Sequence, residues 1–320
     1  MVNYDINKTG KKVTISTDKI KRIFLEFKRD YQLWIMVLPA IIVIFIFNYI
    51  PMYGIQLAFR EYDFTKGIVG GKWVGLKYFK QFINSYQFER LIRNTLAISI
   101  SSILVGFPAP IILALLFNQV KNQRYKKVLQ TTVYLPHFIS TTVMVGLLVV
   151  LLSPNTGIIG KMLRLFGLDD VNLLGNTSTF VPVYVLSDVW QHAGWGSIIY
   201  LAALSSVDPQ LYDAAKVDGA SKWRMIWHID IPSLVPTMVI LFILSMGGIL
   251  STGFEKVYLM QNGLNITVSE VIATYVYKIG LLSNQYSYSA AIGFFNTVIN
   301  FSFLVITNWV ARKIGNISLF

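Results

Sequence analysis

Residues 213–232 read DAAKVDGASKWRMIWHIDIP, a polar stretch between two long apolar ones. Ala214 and Ala215 are strong helix formers. Gly219 permits a turn that a side chain would resist. Pro232 suits the start of a following helix, where its missing N–H has no partner to lose. The spacing therefore predicts a helix, a tight turn at Gly219, a short second helix, and an apolar helix from residue 231 onward. Such a unit makes a small rigid knob. Its small side chains let it enter a groove on another protein. Asp213 offers a charge to a basic partner residue, and Trp223 and Met225 offer apolar contact area. Asp218 reads as a helix cap or a solvated surface charge.

The chain has 320 residues, of which 54% are hydrophobic and 14% charged. Soluble domains carry roughly 25% charged residues, so lipid is the expected solvent. The absence of cysteine excludes disulfides, a thiolate nucleophile and cysteine metal sites. A membrane-spanning helix needs about 20 mostly apolar residues. Six segments qualify: 33–59, 94–117, 128–152, 180–204, 231–253 and 288–310. The first begins too late and runs too long for a signal-peptide core, and reads as an uncleaved membrane helix. Lipid offers backbone amides no partner, so helices are the expected spanning form.

The net charge of +12 raises nucleic acid as a partner class. Most of the excess flanks apolar segments, however, and retention of Lys and Arg at the cytoplasmic face explains it, so no nucleic-acid partner is expected. The basic sets Lys8–Arg29, Lys121–Lys127, Lys216–Arg224 and Arg312–Lys313 fall on one side if six helices alternate, which makes both termini cytoplasmic. The basic connection 60–93 falls outside and is an exception. Residues 19–30 place Ile20, Ile23, Phe24 and Phe27 on one face, as an interfacial helix or a cytoplasmic extension of the first span. Phe79, Phe82, Ile83 and Tyr86 form a similar stripe, expected against the bilayer or the bundle. Pro136, Pro108 and Pro110 predict kinks.

None of the Gly-Lys pairs at residues 10–11, 71–72 and 160–161 continues to Ser or Thr, so the chain lacks a phosphate loop and any energy source sits on another subunit. The 213–232 segment resembles the cytoplasmic coupling loop of ABC importer permeases, whose pattern is Glu-Ala-Ala, three residues, Gly, nine residues, Ile-x-Leu-Pro. Asp213 stands for the Glu and Ile231 for the Leu. Ala214, Ala215, Gly219, Ile229 and Pro232 match outright. Residues 75–96, 132–140 (TVYLPHFIS), 189–204 (VWQHAGWGSIIYLAAL), 253–258 (GFEKVY) and 275–294 are similar to the polysaccharide-type sugar permeases of Gram-positive bacteria.

The resemblance covers about residues 30–315 and implies an all-α membrane protein with the six-helix type I ABC importer permease fold and cytoplasmic coupling helices. It implies a tail over 1–30, a permease domain over 31–315 with its coupling loop at 211–232, and a cytoplasmic end over 316–320. It also implies a bacterial cell-membrane location, a second related permease, two ATPase subunits carrying ATP and Mg, an extracellular sugar-binding lipoprotein and an oligosaccharide substrate. The residues it assigns to coupling are Asp213, Ala214, Ala215, Asp218, Gly219, Ala220, Trp223 and Pro232. An importer of a non-sugar solute is the alternative, since all such permeases share the loop. An intramembrane enzyme would need convergent acid–base groups, and the membrane segments offer only Asp188 and scattered histidines.

Residues suited to a sugar path cluster in segment 180–204. Tyr184, Asp188, Trp190, Gln191 and Trp195 combine hydroxyl-binding groups with aromatic faces. An Asp at a helix centre costs about 2.5–3.5 kcal/mol on the insertion scale, so Asp188 is expected to face the interior, lining the path or bracing a neighbour. Trp190 and Trp195 read as stacking platforms or as packing and anchor residues. Tyr134, His137 and Asn296 are further path candidates. Gly194 is expected to permit close helix approach. Glu255 and Lys256 read as a solvated external turn or a contact for the lipoprotein.

Overall fold

In the computed structural model, residues 5–6, 12–13, 29–167, 171–315 and 317–319 are described. The chain divides into two compact units, residues 1–56 and 57–320. The first unit carries helix α1 (Tyr31–Ile44), which continues through a widened turn, Phe45–Tyr49. The hydrophobic window of Tyr31–Phe59 has mean hydropathy 2.5 and none of it is buried, as expected of a helix solvated by lipid. The interfacial helix expected over 19–30 lies outside the described residues except for Arg29 and Asp30.

The second unit holds α2 (Lys77–Ile83), α3 (Phe88–Gly106), α4 (Pro108–Asn118), α5 (Gln123–Tyr134), α6 (Thr141–Leu151) and α7 (Ile158–Leu165). These are followed by α8 (Phe180–Ser205), α9 (Pro209–Val217), α10 (Lys222–Met225), α11 (Ile231–Met246), α12 (Phe254–Met260), α13 (Ile272–Tyr277) and α14 (Tyr286–Gly315). Among the described residues, four helices are long and apolar enough to span: Tyr31–Phe59, Phe88–Asn118, Lys222–Met246 and Tyr286–Gly315. A fifth span is a bent pair. The sixth expected segment is α8, whose 26 residues reach about 39 Å at 1.5 Å per residue. Its polar residues make it less apolar than the others, and it packs among α3, α4 and α11. Gly194 lets α5 approach as well: a Cβ there would lie 2.1 Å from the carbonyl oxygen of Val133.

Two expected spans are not continuous. Segment 128–152 turns by 97° between Phe138 and Thr141. Pro136 sits in a tight turn, Leu135–Phe138, Ile139 and Ser140 are extended, and the Ser140 hydroxyl accepts the Val143 N–H to start α6. The freed carbonyl of Ile139 accepts the Gln191 side-chain amide at 2.8 Å. Segment 231–253 ends its helix at Met246 and unwinds over Gly247–Gly253. There Asn300 of α14 accepts the Leu250 N–H and donates to the Ser251 hydroxyl, both at 2.8 Å. Lipid satisfies none of these groups, so irregular backbone at this depth persists only where protein side chains complete it. At Pro108 the helix runs on, because Phe107 keeps helical angles.

The 60–93 connection packs against the bundle. Phe79 meets Phe59 and Phe294, and buried Phe82 meets Phe88 and Phe295 edge-on, while Ile83 and Tyr86 of the same stripe stay exposed. Buried Glu270 binds Arg90 of α3 at 2.6 Å and Lys278 at 3.0 Å, fastening the start of α3 to the chain around α13. Replacing Asn300 with Leu, or Gln191 with Leu, strands backbone groups at a break. Each change is expected to destabilise the protein by about 1–3 kcal/mol, read as a lower Tm in detergent, whereas Ser302→Ala on the exposed face of α14 leaves Tm unchanged.

Candidate functional site

The 208–232 segment is built by local rules. The Asp208 carboxylate accepts the Gln210 N–H at 2.9 Å and Pro209 follows, which starts α9. Gly219 ends it with φ +70°. The Ala220 N–H reaches back to the Ala215 carbonyl (2.8 Å) and the Gly219 N–H to that of Lys216 (3.0 Å), the paired closure of a Schellman motif. The Ser221 hydroxyl then accepts the Arg224 N–H and begins α10.

One expectation is corrected here. The short second helix is not separate, because α10 passes through a widened turn, Ile226–Asp230, into α11 as one helix of 25 residues. Pro232 has no N–H for the hydrogen-bond ladder, and the wider turn carries the helix past that gap.

Asp230, the unspecified position of the Ile-x-Ile-Pro ending, is completely buried. Its carboxylate accepts the Tyr212 hydroxyl at 2.5 Å, the Gln119 amide at 3.2 Å and the Asn118 amide at 3.4 Å. One acid thus joins α9, the end of α4 and the foot of α11. Burial, and then the Asp230 carboxylate, push the Tyr212 phenol up to about 12. The sequence signal was an acidic residue at the foot of an apolar span.

The other motif residues face outward. Asp213 is exposed and pairs with Lys216 at 2.8 Å, a surface contact of little energetic weight. Ala214 and Asp218 are exposed, Ala215 and Ala220 half-buried. Trp223 is 72% exposed. Met225, Tyr212, Asn118 and Lys216 share a cavity of about 470 Å³ beside Asp213.

A second constellation lies along α8. Tyr184, Asp188 and His192 line a cavity of about 410 Å³ with Ser99, Ser245 and Thr252. Asp188 also lines an adjoining cavity of about 560 Å³ with Pro110, Gly196 and Tyr200. Here Lys256 is corrected: it is no solvated turn residue but is 5% exposed. Its ammonium lies 3.2 Å from Asp188 Oδ1, donates to the Tyr184 carbonyl at 3.1 Å and sits 4.7 Å from the centre of the Tyr184 ring. His192 Nδ1 approaches the same Oδ1 at 3.4 Å. Trp195 stacks on His137 at 4.6 Å with Phe138 edge-on, and His137 meets His192 at 5.5 Å.

Several path candidates stand apart from this cavity. Trp190 lines an apolar groove with Met144, Leu148 and Leu186. Gln191 is buried against Ile139, and Tyr134 packs edge-on against Phe117. Asn296 has a buried carbonyl oxygen with no partner among the described residues. No group of three metal-ligating His, Cys, Asp or Glu occurs among the described residues.

Gly219→Val forces a branched side chain into the left-handed region, at a cost of about 1–2 kcal/mol. Asp230→Ala leaves Tyr212, Asn118 and Gln119 facing an empty buried site, at about 1–3 kcal/mol for the orphaned groups. Both variants are expected to speed limited proteolysis at Lys216 and Lys222 while Asp213→Asn does not.

The family described as binding-protein-dependent transport system inner membrane component matches residues 106–316. The chain is 42% identical to the polygalacturonan/rhamnogalacturonan transport system permease protein YteP of Bacillus subtilis, covering 95% of this chain and 94% of that one. It is 40% identical to protein LplB of the same organism over 92% of each. Its fold superposes with a TM-score of 0.84 on a chain of a bacterial ABC transporter that imports the acidic polysaccharide alginate. That chain is 42% identical, and the match covers 92% of this chain and 99% of it. A second structure of the alginate transporter, in complex with a periplasmic protein holding an alginate pentasaccharide, matches equally well at TM-score 0.84. The 213–232 segment lies wholly inside the family match, and this chain belongs to the binding-protein-dependent transport system inner membrane components, the multi-pass permeases of ABC importers.

Proposed function

We propose that this chain forms half of a membrane path for oligosaccharides released from a polysaccharide, docking through residues 209–225 on an ATPase subunit. The observation that carries the docking role is the exposed knob closed by Gly219 and seated by Asp230. A knob locked at its base and bare at its tip suits insertion into a groove of another protein. The saccharide cargo is supported by relatives named for polygalacturonan, rhamnogalacturonan and alginate transport. It is supported further by the hydroxyl-lined cavity beside Asp188.

In this reading a second, related permease completes the path. Two ATPase subunits hold ATP and Mg, and a lipoprotein delivers the sugar from outside. The Lys and Arg distribution supports a cytoplasmic knob and cytoplasmic termini. ATP-driven closure of the ATPase pair displaces the knob and turns the bundle between its two openings, a two-state change biased from one site and felt at another.

The absence of cysteine makes labelling direct. Ala214→Cys and Trp223→Cys are expected to crosslink to the ATPase subunit and to react with an impermeant maleimide only from the cytoplasmic side. Proteoliposomes bearing the assembled importer and its lipoprotein are expected to accumulate oligogalacturonides only with internal ATP. Labelling of Ala214→Cys from outside refutes the docking role. ATP-driven uptake of a non-sugar solute instead refutes the cargo.

A further inference from the structure

The Asp188–Lys256 pair is arranged the wrong way round for a simple structural brace. A long lysine near a cavity ordinarily carries its charge toward water. Here the lysine is buried, and the short aspartate stands at the wall with its side chain 38% exposed. An ammonium has three protons to place. Lys256 directs them toward Asp188 Oδ1, the Tyr184 carbonyl and the Tyr184 ring. Lys256 and His192 both converge on Oδ1, and among the described residues no hydrogen bond ends on Oδ2. The carboxylate is therefore held through one oxygen where two cavities meet.

The same cavity carries a second polar group. Thr252 lies in the unwound 247–253 segment and lines the same cavity. Its hydroxyl oxygen is buried and has no partner among the described residues. A buried polar group without a partner calls for an occupant. Lys256 follows four residues after Thr252, so its bond to Asp188 ties the chain that carries Thr252 to α8. A ligand that donates to a carboxylate and both accepts from and donates to a hydroxyl satisfies both groups at once. Polyols and sugars carry such groups on adjacent carbons.

We propose that Asp188 and Thr252 form a hydroxyl-reading subsite for sugar in the transport path, with Lys256 as its positioning residue. This rests on the saccharide reading above.

The test uses the complete importer with its lipoprotein in proteoliposomes. It measures labelled sugar uptake and ATP hydrolysis together, with oligogalacturonides, arabino-oligosaccharides and malto-oligosaccharides as probes. The sugar that the unaltered importer takes up serves for the variants. Uptake of none of them overturns the saccharide reading, and the subsite with it. The double variant Asp188→Asn/Lys256→Met removes both charges at nearly constant volume. It is expected to assemble and to keep lipoprotein-stimulated ATP hydrolysis, while sugar moved per ATP falls about tenfold or more, the equivalent of one charge-assisted hydrogen bond. Lys256→Arg keeps the pair and is expected to retain most transport. Thr252→Val lowers sugar moved per ATP about threefold to tenfold, the equivalent of one neutral hydrogen bond, and Thr252→Ser restores it. A merely structural pair lowers hydrolysis and transport together, and that result overturns the proposal. So does an unchanged sugar-to-ATP ratio in the double variant or, should that variant fail to assemble, in Thr252→Val.

Discussion

A backbone amide or carbonyl surrounded by lipid and side chains has no water to turn to, and the architecture of this permease follows from how that constraint is met. Regular helix meets it over most of the spans. Where the chain departs from helix, a carboxamide on a neighbouring span takes over: Gln191 at the Ile139 break and Asn300 at the Leu250–Ser251 break. Both are buried and come from helices that pack beside the break. Without them, irregular backbone could not stand at that depth. With them, the unwound segment after α11 lines a hydroxyl-rich cavity in place of a sealed helix face.

What the sequence disclosed was whatever is encoded within a few turns of chain. The helix and turn from Asp213 to Gly219 could be read because alanines and a left-handed glycine act on immediate neighbours, whereas the helix start expected at Pro232 lies inside the helix Lys222–Met246. The positions of the spans could be read because lipid imposes apolarity along one continuous segment. Pro136 foretold a break and Pro108 did not produce one, since proline close behind a helix end is tolerated when the preceding residue stays helical. Lys256 was misplaced because its partner lies 68 residues away on α8. Adjacency to a glycine-rich turn gave no hint of burial. Asp230 escaped notice for the same reason, its donors being 18, 111 and 112 residues distant.

The aromatic residues illustrate the same limit. Trp190 and Trp195 sit five positions apart on α8 and read alike in sequence, yet they serve different surroundings. Trp195 stacks on His137 next to the polar wall, whereas Trp190 faces an apolar groove of leucines and methionine. Helical periodicity separates their faces. Only the packing of α8 among its neighbours says which face meets the cavity.

The uninterrupted helix from Lys222 to Met246 has a mechanical consequence. Its 25 residues extend about 37 Å at 1.5 Å per residue, with the exposed tryptophan tip at one end and Ser245 of the cavity wall near the other. A widened turn, Ile226–Asp230, and two prolines, Pro232 and Pro236, lie along that length without ending the helix. In the docking reading proposed above, one helix therefore ties the docking tip to the cavity wall, and a glycine-rich elbow, Gly247–Gly253, follows it at once.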